Sequence, residues 1–272
     1  MSESQLFNSF STSYVNNFSE SNSLVSKFAF LILVLFGFII LLKVGVTIIG
    51  YLLSPNPSPK IINGMVDASQ MLIIQQDPNI KGSIPIYRSV NARDGLEFTW
   101  SVWIFINQLY NSGEAGQYRH IFHKGNSNLS VEGVNFPNNA PGLYIAPNTN
   151  NLVVMMNTYD NINEEITIPD IPISKWVNVM IRCQNKTLDI YANGTIVRSL
   201  DLDGVPKQNY GDVFIAMNGG FNGYISNLWY YNYALSTSEI QSLVAAGPNT
   251  NLIGTNGIND KNADYLSLRW YF

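Results

Sequence analysis

The chain has 272 residues and a formal net charge of −4, and only 12 % of its side chains are charged, about half the ~25 % usual in soluble domains. That length holds one domain of about 200 residues beside a membrane segment. The acidic balance, with no Lys/Arg cluster, excludes a phosphate-tracking nucleic-acid surface. A single cysteine, Cys183, excludes an intrachain disulfide and a cysteine-based zinc site.

A Ser/Asn-rich tail over 1–27 comes first, and FAFLILVLFGFIILL then runs from Phe28 to Leu42 without a charge. After Lys43 the chain stays apolar to Leu53, long enough for a bilayer-spanning helix over 28–53. The run exceeds the short apolar core of a cleaved leader, so it reads as an uncleaved single-pass anchor with the lipid bilayer as partner. Lys27 and Lys60 flank it evenly and leave its orientation unspecified. Gly37, Gly45 and Gly50 make no GxxxG pattern. SPNPSPK (54–60) alternates proline with small polar residues, which stops the helix and gives an extended linker. The remaining 61–272 forms the second part, with its core at 95–247.

Ile61 to Val90 reads as a lead-in that contributes an edge strand. From Gly95 onward strand signals recur about every ten residues between Gly, Asn, Asp and Pro. FTWSVWIFI (98–106), apolar on both faces, is expected in the centre of a sheet. YRHIFHKG (118–125), GLYIAP (142–147), LVVMMNT (152–158) and WVNVMIRCQ (176–184) follow. In the last of these Cys183 shares a face with Val177, Val179 and Ile181 and reads as a buried structural thiol. LDIYA (188–192) and TIVRSLDL (195–202) flank Asn193-Gly194, the dipeptide best suited to a type I′ turn. VFIAMN (213–218) and YISNLWYYN (224–232) come next. Ser236-Thr-Ser-Glu239 is a capping box that opens a short helix with Ile240, Leu243 and Val244 on one face, and Gly247-Pro248 stops it. YLSLRWYF (265–272) alternates as a final strand.

The block FNGYISNLWYYNYALSTSEIQSLVAAG (221–247) resembles the closing signature of laminin G-like, concanavalin A-like jelly-roll domains. EFTWSVWIF resembles their opening strand, HIFHKG their Ile-x-x-Lys-Gly turn, and KWVNVMIRCQNKTLDIYANGTIV their central strands. The resemblance implies an all-β fold, a two-sheet antiparallel jelly-roll sandwich with one short helix, preceded by a single N-terminal transmembrane helix. The flanks are similar to anchored proteins of large DNA viruses. That likeness implies a place at a virion surface or host membrane, with viral coat proteins as partners. Where the family carries an acidic pair after Gly-Tyr-Ile this chain has Ser226 and Asn227, and where it carries Arg before Ala-Leu-Ser it has Tyr233. Neutral groups hold Ca²⁺ less well than carboxylates.

The superfamily includes glucanases, whose chemistry needs two carboxylates about 5–5.5 Å apart for retention. No Glu-x-Asp-x-Glu run supplies them. Glu164 and Glu165 are adjacent and point to opposite faces when extended. His120 and His123, three apart on a strand, are expected on opposite faces, one packed and one exposed, and so to make no metal pair. Asp94, Asp201 and Asp203 could supply oxygens to a Ca²⁺ ion from loops at sheet ends, against the alternative of ordinary Asx turns. No other cofactor is called for. Three sequons, at Asn128, Asn185 and Asn193, are no more than composition predicts. Trp229, Tyr231 and Tyr233 alternate onto one face and are the candidate ligand-binding residues, with core packing as the alternative for Trp229. The reading is a membrane-anchored, non-catalytic domain that recognises glycan or protein. A purely structural virion or membrane protein and a glycan-cleaving enzyme are the alternatives.

Overall fold

The computed structural model describes residues 24–53, 56–89, 91–92, 95–109 and 116–253. Asp94, most of the polar tail and the expected final strand (265–272) lie outside them. The chain divides into two compact units, Met1–Pro55 and Asn56–Phe272. The first is a 30-residue helix, α1 (Leu24–Leu53), with no acid in its first turn and no base in its last. It is long and apolar enough to cross a bilayer, and none of its most apolar window is buried by protein. At ~1.5 Å per residue it extends about 45 Å.

The second unit is a sandwich. Its elements are β1 (Met65–Asp67), β2 (Leu72–Ile74), β3 (Asn91–Ala92), β4 (Gly95–Gln108), β5 (Arg119–Gly125), β6 (Gly142–Ile145), β7 (Leu152–Met156), β8 (Glu164–Ile168), β9 (Trp176–Gln184), β10 (Thr187–Ala192), β11 (Thr195–Asp201), β12 (Asp212–Ile215), β13 (Asn222–Tyr231) and α2 (Thr237–Ala246). Among the described residues one sheet has the order β1-β13-β4-β9-β10-β11, with β3 beside β4, and the other has β2-β12-β5-β6-β7-β8. Every paired strand in both is antiparallel.

The doubly apolar β4 lies inside its sheet, between β13 and β9. Its Trp100 stacks on Phe122 of the facing sheet at 5.3 Å and meets Tyr230 of β13 at 5.1 Å. These rings centre a core that also takes Ile104, Leu143, Ile181 and Ile190. Cys183 is buried there, and burial pushes its thiol up to about 12. Asn193 and Gly194 both have positive φ, 47° and 79°, as the hairpin turn requires. The α2 cap forms as a reciprocal box, Ser236 accepting from the Glu239 amide and Glu239 from the Ser236 amide.

Two strands differ from expectation. The lead-in supplies not one edge strand but two, β1 at the edge of one sheet and β2 at the edge of the other. β8, built from EEITI, lies where the sequence reading names no strand and weighs the glutamate pair only for catalysis. In place, it buries Ile166 and Ile168, ties half-buried Glu164 to Thr158 and the Asp203 amide, and turns Glu165 outward along a sheet edge, where charge discourages further strand pairing.

The expectation for the histidines is overturned. Both are buried, at 1 % and 0 % exposure. A β-bulge sits between His120 and Phe122, where two residues of β5 oppose one of β6. The extra residue shifts the alternation, so that Ile121 and Phe122 both enter the core. His120 and His123 then share the other face, 2.6 Å apart from Nε2 to Nδ1.

Candidate functional site

Two segments distant in sequence, 75–88 and 206–212, close one end of the sandwich beside β12 and the end of β5. Gln76 binds them together. Its backbone N–H donates to Asp212 Oδ1 at 2.8 Å, while its side-chain amide donates to the Ile84 carbonyl and accepts from the Ile86 N–H. Gln208 donates to Ser89 Oγ and accepts from Arg88 Nε. From the core side, Tyr230 sends its hydroxyl to the Tyr87 carbonyl at 3.1 Å. The open cleft between the two segments has a volume of about 770 Å³. Tyr87 and Tyr210 stand at it 45 % and 78 % exposed.

Lys124, last but one in β5, lines this cleft although it is only 5 % exposed. Its Nζ donates to the Gly211 carbonyl at 2.6 Å. Burial lowers its ammonium to about 8, opposed by the nearby Asp212 carboxylate. An ammonium bonded to one carbonyl is therefore kept at low dielectric, with a carboxylate near enough to favour its charge. The carboxylates lining the cleft are engaged. Asp77 accepts from the backbone and side-chain amides of Asn79, and Asp212 accepts from Gln76. Sequence reading missed this cleft. A lysine in the otherwise apolar IFHKG was its one local signal, since Tyr87 and Tyr210 lie in segments without periodicity.

The aromatic residues singled out by alternation are placed as follows. Trp229 and Tyr231 fall on the outer face of their sheet, and Tyr230 on the core face. Trp229 is half-buried beneath Lys60, whose Nζ lies 4.5 Å from the ring centre. Tyr231 packs against the small cluster of Met180, Leu235 and Ile240. Tyr233 lies beyond the end of β13, with its ring 6.0 Å from that of Tyr231 and its hydroxyl donating to Glu239 at 2.9 Å. Tyr231 and Tyr233 line a shallow groove of about 270 Å³ against α2; Trp229 is not part of it.

Asp201 accepts from Thr187 Oγ1 at 2.7 Å, and Asp203 from Asn161 Nδ2 at 2.6 Å. Their oxygens serve different loops, and Asp94 lies outside the described residues. Among the described residues no three His, Cys, Asp or Glu side chains converge to hold a metal ion.

The histidine pair forms a continuous chain of donors. Met217 N–H donates to His120 Nδ1 at 3.1 Å, and His123 Nε2 faces the Asn126 carbonyl at 2.8 Å. A carbonyl only accepts, so His123 carries its proton on Nε2 and accepts at Nδ1, and His120 donates from Nε2. Both rings are thus neutral. Burial lowers His120 well below the usual imidazole range and His123 to about 4.

Two facing antiparallel sheets with a lectin-like jelly-roll order, and a cleft at one end, define the class: a concanavalin A-like sandwich. A family model described as the concanavalin A-like lectin/glucanases superfamily matches residues 82–241, and the chain belongs to that superfamily. No curated protein matches it. Among solved structures it is similar to the receptor binding domain of botulinum neurotoxin D (15 % identity, TM-score 0.48, covering 67 % of this chain and 43 % of that one). It is similar also to the binding domain of Paraclostridial Mosquitocidal Protein 1 (17 %, 0.47, 67 % and 42 %). A third is the binding domain of botulinum neurotoxin DC in complex with SialylT (17 %, 0.41, 56 % and 35 %). The chain spans less than half the length of each of these three structures.

Proposed function

We propose that this chain is a membrane-anchored recognition protein whose sandwich binds a glycan in the cleft between 75–88 and 206–212, without cleaving it. The observation that carries this reading is the meeting of two exposed tyrosine rings with a buried ammonium at one cleft. Aromatic faces stack on sugar rings, and the ammonium with the surrounding amides faces hydroxyl oxygens. The non-catalytic part rests on Asp77 and Asp212, whose carboxylates are occupied as turn and strand clamps rather than poised across a bond. Helix α1 is the membrane anchor in this reading. A place at a virion surface, beside coat proteins, rests on the resemblance of the flanks and is tested by co-purification with particles.

The test is a glycan array probed with the full chain in lipid nanodiscs. A defined sugar should bind saturably, and Tyr210→Ala or Lys124→Met should each weaken it roughly tenfold, the ~1–3 kcal/mol scale of an aromatic stack or charged hydrogen bond. A blank array sinks the glycan reading. Release of reducing ends from a bound glycan sinks the non-catalytic one.

A further inference from the structure

The chain enters the sandwich at one end. Ser58 is held by Asn232, its hydroxyl donating to Asn232 Oδ1 and accepting from the Asn232 N–H; Tyr230 N–H donates to the Pro59 carbonyl; Lys60 bridges to Trp229. That is the end at which β13 finishes and β4 begins. The same end carries the loops that follow β5, β7 and β11: Asp201 pairs with Thr187 there, Thr158 bridges to Pro206 just beyond β11, and Asn157 beside it reaches the Pro137 carbonyl of the β5–β6 loop. From Leu53 to Ser58 there are five residue steps, at most about 18 Å of fully extended chain.

Those loops are rigidly joined and apolar at their tips. Tyr159 N–H donates to the Val205 carbonyl at 3.1 Å, Asn161 Nδ2 to Asp203 at 2.6 Å, and Asn157 Nδ2 to the Pro137 carbonyl at 2.5 Å. Phe136, Tyr159, Ile162 and Val205 are nevertheless 51 %, 69 %, 47 % and 49 % exposed. Side chains held this firmly in water lack a partner that their fixed backbone is ready to meet. Charge at this end is mixed: Lys60, Lys186 and Lys207 stand among Asp160, Glu164 and Asp203. Lys207 lies 5.1 Å from the Tyr159 ring centre, an amphipathic pairing suited to a headgroup boundary.

We infer that the loop tips bearing Phe136, Tyr159, Ile162 and Val205 dock into the interfacial layer of the bilayer that holds α1. The inference rests on the membrane-anchor reading, and the occupant follows from the short tether at the same end. With no net positive field, docking needs no anionic lipid.

The test uses the full chain in phosphatidylcholine vesicles, spin-labelled at Ile162→Cys, Val205→Cys or, as a control at the opposite end of the sandwich, Thr195→Cys. Buried Cys183, with its thiol near 12, does not take the label at neutral pH. Carbonate extraction reports the anchor separately. Docking is supported by carbonate-resistant chain whose 162 and 205 labels show a ratio of oxygen to nickel-chelate accessibility roughly tenfold above the 195 label. Resistant chain with water-exposed labels at all three sites overturns docking and leaves the anchor standing. Labels shielded from both reagents and coupled between molecules also overturn it, in favour of a second copy as occupant. Carbonate-extracted chain overturns both readings.

Discussion

Neutral, buried His120 and His123 bind protons more weakly in the folded chain than in the unfolded one. Their folded values lie below the unfolded ~6.5, so the unfolded chain takes up more protons in between. The contribution of His123 is therefore complete above about pH 7 and is lost as pH falls toward about 4, on the order of 3 kcal/mol, or roughly 6–12 °C in melting temperature, and His120 acts in the same direction. Thermal melts of the detergent-solubilised chain between pH 4 and 7.5 should show this slope. His123→Gln, which can still accept from His120 and donate to Asn126, should flatten it; an unchanged slope would count against the relay. Residue chemistry was only partly legible in the sequence. Burial of Cys183 follows from its apolar neighbours, whereas the histidines depend on a bulge that alternation does not encode. Several of the abundant asparagines face inward, which their polarity alone does not signal. Asn135 donates to the carbonyls of Asn126 and Asn128, and Asn139 to that of Asn135, stapling a buried loop.

Elements with strong local codes were the most legible. β9, β10 and β11 follow from alternation and from Asn193-Gly194, and α2 follows from its cap. Ser236→Ala should cost about 1 kcal/mol, since it removes the acceptor for the Glu239 amide and leaves Glu239 capping alone. The loss belongs mainly to α2 and its small cluster with Met180 and Leu235. Hydrogen exchange should therefore rise in 236–246 more than in β4; uniform acceleration would mean that α2 unfolds only with the whole sandwich. β8, by contrast, owes its strand state to pairing with β7 rather than to its own sequence. The pair β1 and β2 is similar: three residues each, too short to signal a strand, and fixed by the edges they complete.

At the scale of the molecule, a long apolar helix and a sandwich occur in one chain, and only the first was readable from a single stretch of sequence. The cleft draws on residues 75–88, 124 and 206–212, which no local spacing connects. The pairing of β12 with both β2 and β5 brings Tyr87, Lys124 and Tyr210 together, and Tyr230 of the facing sheet holds the Tyr87 carbonyl. Removal of residues 1–53 should release the chain from carbonate-washed membranes while leaving its near-ultraviolet circular dichroism unchanged, because the core rings Trp100, Phe122 and Tyr230 all belong to the second unit. Persistent sedimentation of the truncated chain with vesicles, abolished by Ile162→Ser with Val205→Ser, would mark the loop tips as a membrane contact of their own.

The few residues between Leu53 and Ser58 also set how weakly a single cleft is allowed to bind. A short leash keeps neighbouring copies in a thin layer, where effective concentrations for a shared multivalent target reach the millimolar range. Single-site affinities of the same order then suffice for durable attachment through avidity. Lengthening that leash, with the cleft untouched, should weaken capture of glycan carried in the same bilayer while single-site affinity for free sugar stays constant.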